Sequence, residues 1–140
     1  MQKNNVNFIG IGAPKAGTTL VANWLAAHPQ VCFSEPKEVH YFNEVQSYIH
    51  KEPNPNFGKP LAWYYKHFAH AKEKQKIGEF STGYMYDPNA AVRIKMAFPK
   101  TKIIACLREP VTRAYSQYLM FRYYFKKETR PFEVVLETEN

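Results

Sequence analysis

Hydrophobic and polar positions along this chain fall into short blocks that switch between the strand period and the helix period. Residues 7–12 form an apolar run closed by Gly12, the pattern of a buried strand. Residues 18–28 place Leu20, Val21, Trp24 and Leu25 at helical spacing, and Pro29 ends that helix. Residues 31–33 suit a second short strand, whereas 34–42 mix polar and aromatic side chains in neither period and read as a functional loop. Prolines, asparagines and a glycine between positions 51 and 59 forbid regular structure. Beyond them, residues 60–71 offer Leu61, Tyr64, Tyr65 and Phe68 to one helical face behind Pro60. A strand follows at 76–81, then a helix at 88–98 carrying Val92, Ile94, Met96 and Phe98, and 102–107 is the clearest buried strand of the chain. Pro110 opens a long aromatic helix to about Phe125, and 131–139 read as the start of another.

Strands alternating with helices predict an α/β fold in three layers. Right-handed crossovers build a central parallel sheet, and ligands bind at the carboxyl ends of its strands. A chain of 140 residues suits one domain with a real core, since folding at that size buries about two-thirds of the unfolded surface.

Lys and Arg outnumber Asp and Glu by 19 to 12, so the surface attracts anions. No cluster of basic residues sits in a DNA- or RNA-binding signature, so nucleic acid is not the expected ligand. Cys32 and Cys106 stand alone in apolar surroundings, without metal-ligand spacing, and read as buried reduced thiols. The first residues lack the apolar core of a signal peptide, and no apolar run approaches the ~20 residues that span a bilayer. The expectation is a cytoplasmic protein.

Residues 9–19, Ile-Gly-Ile-Gly-Ala-Pro-Lys-Ala-Gly-Thr-Thr, join the first strand to the first helix through a turn suited to phosphate. Gly12 and Gly17 let the backbone approach an anion, the amides of Gly17, Thr18 and Thr19 can point at it, and the helix dipole adds attraction. The G-x-x-x-x-G spacing matches a nucleoside-triphosphate loop, but Thr18 stands where that loop needs lysine. The lysine is Lys15, inside the turn, which suggests a transferase layout with its charge at the bond being broken.

Two further segments carry chemistry. In residues 107–116 an apolar strand ends on Arg108, and a proline-started helix presents Ser116, a fork and a hydroxyl suited to a second phosphate. In residues 37–42, Lys-Glu-Val-His-Tyr-Phe, Glu38 can serve as a base and His40 can assist it or orient a substrate. No second His or Cys stands at metal-ligand spacing, so no metal is expected.

Together these segments resemble the sulfotransferases that use 3'-phosphoadenosine 5'-phosphosulfate (PAPS), in the branch containing the heparan sulfate sulfotransferases and bacterial relatives. Residues 14–19 look like the family's 5'-phosphosulfate loop, 37–42 like its catalytic-glutamate segment, 78–84 like its central strand and 108–116 like its 3'-phosphate motif. The resemblance implies a P-loop-like fold with Lys15, Ala16, Gly17, Thr18 and Thr19 on the 5' side of PAPS and Arg108 and Ser116 on the 3'-phosphate. It also implies Lys15, Glu38 and His40 as catalytic residues, Glu38 taking the proton from an acceptor hydroxyl or amine on a carbohydrate, lipid or small metabolite. Family domains usually run well beyond this length, so the expectation is the N-terminal part of a domain. Phe80 stands where the heparan enzymes commonly carry a substrate-contacting lysine, which favours a smaller or more apolar acceptor. Two alternatives remain at this point: a kinase with Glu109 as its acidic metal ligand, and a nucleotide-binding module without turnover.

Overall fold

The computed structural model describes residues 5–45 and 52–138. Four strands, β1 (Val6–Gly12), β2 (Val31–Phe33), β3 (Lys76–Phe80) and β4 (Lys102–Ala105), form a sheet in the order β2-β3-β1-β4. Every neighbouring pair is parallel, as the alternation of periods predicts. The intervening helices are α1 (Thr18–Ala27), α2 (Leu61–Tyr65), α3 (Ala90–Ala97) and α4 (Pro110–Leu119), and α5 (Phe132–Thr138) follows. The expected irregular stretch begins at Lys51, outside the described residues. Its described part, from Glu52, carries turns and one isolated bridge between Val45 and Pro53.

Alternation along β1 and β3 sends side chains to two separate cores. On one face Ile9 packs with Val39, Phe42, Tyr64, Tyr84, Ile94 and Phe98. Tyr64 is its hub, with ring centroids 4.9 Å from Tyr41, 5.4 Å from Phe68 and 5.7 Å from both Phe42 and Phe98. On the other face Phe8, Phe33 and Phe80 pack against Ala22 of α1. Phe8 is paired with Gly78 and Gly10 with Phe80, so each ring lies over the glycine of the neighbouring strand. A Cβ on Gly10 would sit 2.2 Å from the Phe80 ring, and one on Gly78 2.3 Å from the Phe8 ring.

Several elements differ from the sequence reading. The strand at 102–107 is neither fully buried nor that long: it ends at Ala105, and Ile103 is 50% exposed and Leu107 80% exposed. The reason is position, because β4 is the last strand of the described sheet and pairs on one side only. Apolarity alone does not distinguish a central strand from an edge. Along α3 and its cap Phe98 the four large apolar residues lie two apart, which on a helix throws alternate ones to opposite faces; Ile94 and Phe98 are buried while Val92 and Met96 face out. The helix read at 60–71 shortens to α2 and a 3-10 turn at Lys66–Phe68, and the one read to Phe125 leaves the α form after Leu119 for a π-helical turn at Met120–Tyr124. Of the two cysteines only Cys32 is buried; Cys106 is half-buried, just past the end of β4. The helix read at 131–139 is present as α5, with Glu139 outside the described residues.

Gly10→Ala is expected to destabilise the protein by about 1–3 kcal/mol, since the Phe80 ring is fully buried and must move. Val92→Ala, on the exposed face of α3, should change stability by less than about 0.5 kcal/mol. Urea unfolding of the two variants measures the difference.

Candidate functional site

Parallel strands place their carboxyl ends on one side of the sheet, and here the segments that follow all four strands meet in one cleft of about 480 Å³. Lys15, Gly17, Thr18 and Thr19 line it from the turn after β1, Glu38 from the loop after β2, Thr82 from just beyond β3, and Arg108 from beyond β4. Ser116 and Met120 close it from α4 and the π-helical turn. A second cleft of about 310 Å³, between α3 and β4, is lined mainly by apolar groups such as Ile11, Ile94, Phe98 and Ile103.

The turn after β1 leaves backbone donors open toward the cleft. Gly17 caps α1 with φ 82° and no side-chain hydrogen bond, so no capping side chain competes for the first-turn amides, which have no carbonyl partner within the helix. Lys15 itself takes φ 64°, and its carbonyl accepts a hydrogen bond from Arg108 Nη1 at 3.2 Å. That bond ties the two expected phosphate-binding segments together. Lys15 Nζ lies 3.9 Å from Met120 Sδ. Ala16 contributes differently, since its amide donates to the Ala13 carbonyl at 3.3 Å and its side chain does not line the cleft.

The second helix that starts at a strand end is closed to anions. Glu109 caps α4, its carboxylate accepting from Val111 N at 2.9 Å and Thr112 N at 2.8 Å, with Pro110 in the first turn. These amide bonds hold the Glu109 carboxyl below its ordinary range. Both carboxylate oxygens, which the kinase alternative needs for a metal, are thus engaged by their own helix.

Glu38 sits at the mouth of the loop with φ 66°. Its Oε1 accepts from Lys37 Nζ at 2.8 Å, and its Oε2 from Thr82 Oγ1 at 2.9 Å. His40 Nε2 lies 3.0 Å from the same Oε2. Burial pushes the carboxyl upward, but the bonds and charges of His40 and Lys37 outweigh it and hold Glu38 at about 2. His40 does not line the cleft; it reaches it through Glu38, and its Nδ1 is buried without a partner.

Side chains from distant segments hold this loop in place, and these the sequence reading missed. The Glu38 amide donates to the Phe80 carbonyl, the His40 amide to Ser81 Oγ at 3.0 Å and the Tyr41 amide to Tyr84 Oη at 2.9 Å. Asn56 Nδ2 donates to the Val39 carbonyl at 3.0 Å, and Asn54 Nδ2 to the carbonyls of His40 and Asn43. Behind the loop Glu79 is fully buried and accepts from Tyr64 Oη, Tyr84 Oη and Ser81 Oγ at 2.8, 2.8 and 2.6 Å. Burial pushes Glu79 up against the pull of these donors, and burial with the Glu79 charge drives both phenols well up. Phe80 points away from all this, into the opposite core. The available signal was a carboxylate and hydroxyls crowded at the end of an apolar strand, together with two asparagines in a proline-rich segment.

Among the described residues no helix is long and apolar enough to cross a membrane, and no group of three His, Cys, Asp or Glu side chains is placed to hold a metal. Residues 8–138 match the family model described as "Sulfotransferase family". The chain is 38% identical over 128 residues to the membrane-associated sulfotransferase kil1 of Dictyostelium discoideum, covering 89% of this chain and 25% of that protein. It is 31% identical over 108 residues to human heparan sulfate glucosamine 3-O-sulfotransferase 5, covering 77% of this chain and 28% of that one. A bifunctional heparan sulfate N-deacetylase/N-sulfotransferase 1 from Caenorhabditis briggsae is 33% identical over 82% of this chain and 13% of its own length. The crystal structure of a sulfotransferase from Alicyclobacillus acidocaldarius superposes with a TM-score of 0.80 at 29% identity, over 98% of this chain and 57% of that one. The chain thus spans between 13% and 28% of these curated relatives and 57% of the solved structure.

The depressed Glu38 carboxyl predicts a signature in acid. A group held at about 2 instead of 4.5 adds stability that is complete above pH 4.5 and disappears as pH falls through about 2. Wild type should therefore exceed Glu38→Gln in stability at neutral pH, and the gap should close between those two values in urea titrations at stepped pH.

Proposed function

Because the chain belongs to the sulfotransferase family by its match over residues 8–138, we propose that it transfers a sulfuryl group from PAPS to a hydroxyl or amine. The observation that carries this reading is the convergence of Lys15, Glu38, Arg108 and Ser116 on one cleft. The donor set suits a nucleotide with anions at both ends: an ammonium and uncapped amides on one side, a guanidinium and a hydroxyl on the other. A Cβ built on Gly17 meets nothing within 4 Å, so the turn is open where an anion must enter.

PAPS supplies an activated sulfuryl group on a phosphate leaving group. In this reading the amides and hydroxyls of Thr18 and Thr19, after the Ala16–Gly17 turn, hold the 5'-phosphate, and Lys15 neutralises the charge that grows on the bridging oxygen. Arg108 and Ser116 hold the 3'-phosphate. Glu38 receives the acceptor proton as the new sulfur–oxygen or sulfur–nitrogen bond forms and the bond to the bridging oxygen breaks, leaving adenosine 3',5'-bisphosphate. A carboxyl at about 2 is a weak base, but an anionic donor in the same cleft raises it by repulsion, while His40 and Lys37 keep it oriented. The names of the heparan sulfate relatives support a carbohydrate acceptor, with lipids and small metabolites as the other classes to be assayed.

Transfer from labelled PAPS and calorimetric binding of adenosine 3',5'-bisphosphate test the proposal together. Lys15→Ala should lower turnover at least about 100-fold with little change in urea midpoint. Arg108→Ala should weaken bisphosphate binding about 10- to 100-fold. Undiminished turnover in Lys15→Ala removes the lysine from the mechanism, and binding with no transfer to any acceptor class makes the protein a nucleotide-binding module.

A further inference from the structure

Glu79 lies outside the cleft, yet it is the acceptor on which two loop anchors depend. Ser81 Oγ accepts the His40 amide at 3.0 Å and Tyr84 Oη accepts the Tyr41 amide at 2.9 Å. Amides only donate, so each hydroxyl keeps its single proton for another partner. Those protons go to the two oxygens of Glu79, Ser81 to Oε2 at 2.6 Å and Tyr84 to Oε1 at 2.8 Å. One buried carboxylate therefore sets the direction of two hydroxyls that grip consecutive amides of the loop bearing Glu38. The grip is needed because Glu38 and His40 both hold positive φ, 66° and 51°, which non-glycine residues keep only when their surroundings over-determine them.

We propose that Glu79 is a positioning residue, which acts through Ser81 and Tyr84 to fix the His40 and Tyr41 amides and thereby the Glu38 carboxylate. The proposal rests on Glu38 as the base of the reaction proposed above. Glu79→Gln nearly preserves shape but not polarity: an amide has one accepting oxygen and a donating nitrogen. On the nitrogen side the hydroxyl must turn its proton toward the loop, where it meets an amide proton.

Hydrogen exchange by NMR on the full chain reads this directly and independently of any acceptor. Ser81→Ala should speed exchange at the His40 amide, and Tyr84→Phe at the Tyr41 amide, each by about ten-fold and largely alone. Glu79→Gln should speed the one whose hydroxyl faces the side-chain nitrogen, since the remaining oxygen still accepts from the other. In the transfer assay Glu79→Gln should lower kcat about 10- to 100-fold while KM for the donor and adenosine 3',5'-bisphosphate binding stay within about twofold, because the Lys15 and Arg108 segments are untouched. Wild-type protection at both amides in Glu79→Gln overturns the proposal, as does loosening of either amide with unchanged kcat. If Glu79→Gln does not fold, the Ser81→Ala and Tyr84→Phe pair decides, and protection retained in both is fatal. Selective loosening in a protein whose wild type transfers no sulfuryl group leaves the anchoring intact and removes the reaction assigned to Glu38.

Discussion

Parallelism of the sheet is the constraint from which the site follows. Four strands that run the same way deliver their following segments to one edge, whatever their order in sequence. Each sends at least one polar group there: Lys15 after β1, Glu38 after β2, Thr82 after β3 and Arg108 after β4. Residues 93 positions apart, Lys15 and Arg108, become hydrogen-bonding neighbours because β1 and β4 are paired side by side. An antiparallel strand in place of any one of them would carry its group to the opposite edge.

Within that frame the two helix starts at the cleft are treated oppositely. Glycine leaves the first-turn amides of α1 open, whereas the Glu109 carboxylate occupies those of α4. The attraction of a helix N-terminus for negative charge is thus kept at one point and quenched at the other. Of the non-glycine residues with positive φ among the described residues, Lys15, Glu38 and His40 belong to this edge. Such backbone costs on the order of 1–3 kcal/mol per residue; at Glu38 and His40 it is held by the bonds that Asn54 and Asn56 donate to the loop and that Ser81 and Tyr84 accept from it.

Local signals made the strand-turn-helix at 9–19, the proline-started helix at 110 and the aperiodic loop at 34–42 legible in the sequence. Glycine, proline and broken periodicity act over a few residues, so they can be read there. Sheet order, by contrast, is a property of the whole chain, and for that reason β4 could be recognised as a strand but not as an edge. Packing decided the rest: Val92 and Met96 look like core by composition and face out by angle. The supports of the loop bearing Glu38 were invisible for the same reason, since Asn54 and Tyr84 reach His40 and Tyr41 across sequence separations of 14 and 43.

The crossed pairing of Phe8 over Gly78 and Phe80 over Gly10 does more than fill the second core. Sliding β3 by two residues, the nearest shift that keeps inward side chains inward, would set Phe8 against Phe80 in one direction and Gly10 against Gly78 in the other. Misalignment is therefore penalised in either direction, by a collision of rings one way and by a void over paired glycines the other. The two central strands thus carry their own check on register in four side-chain positions.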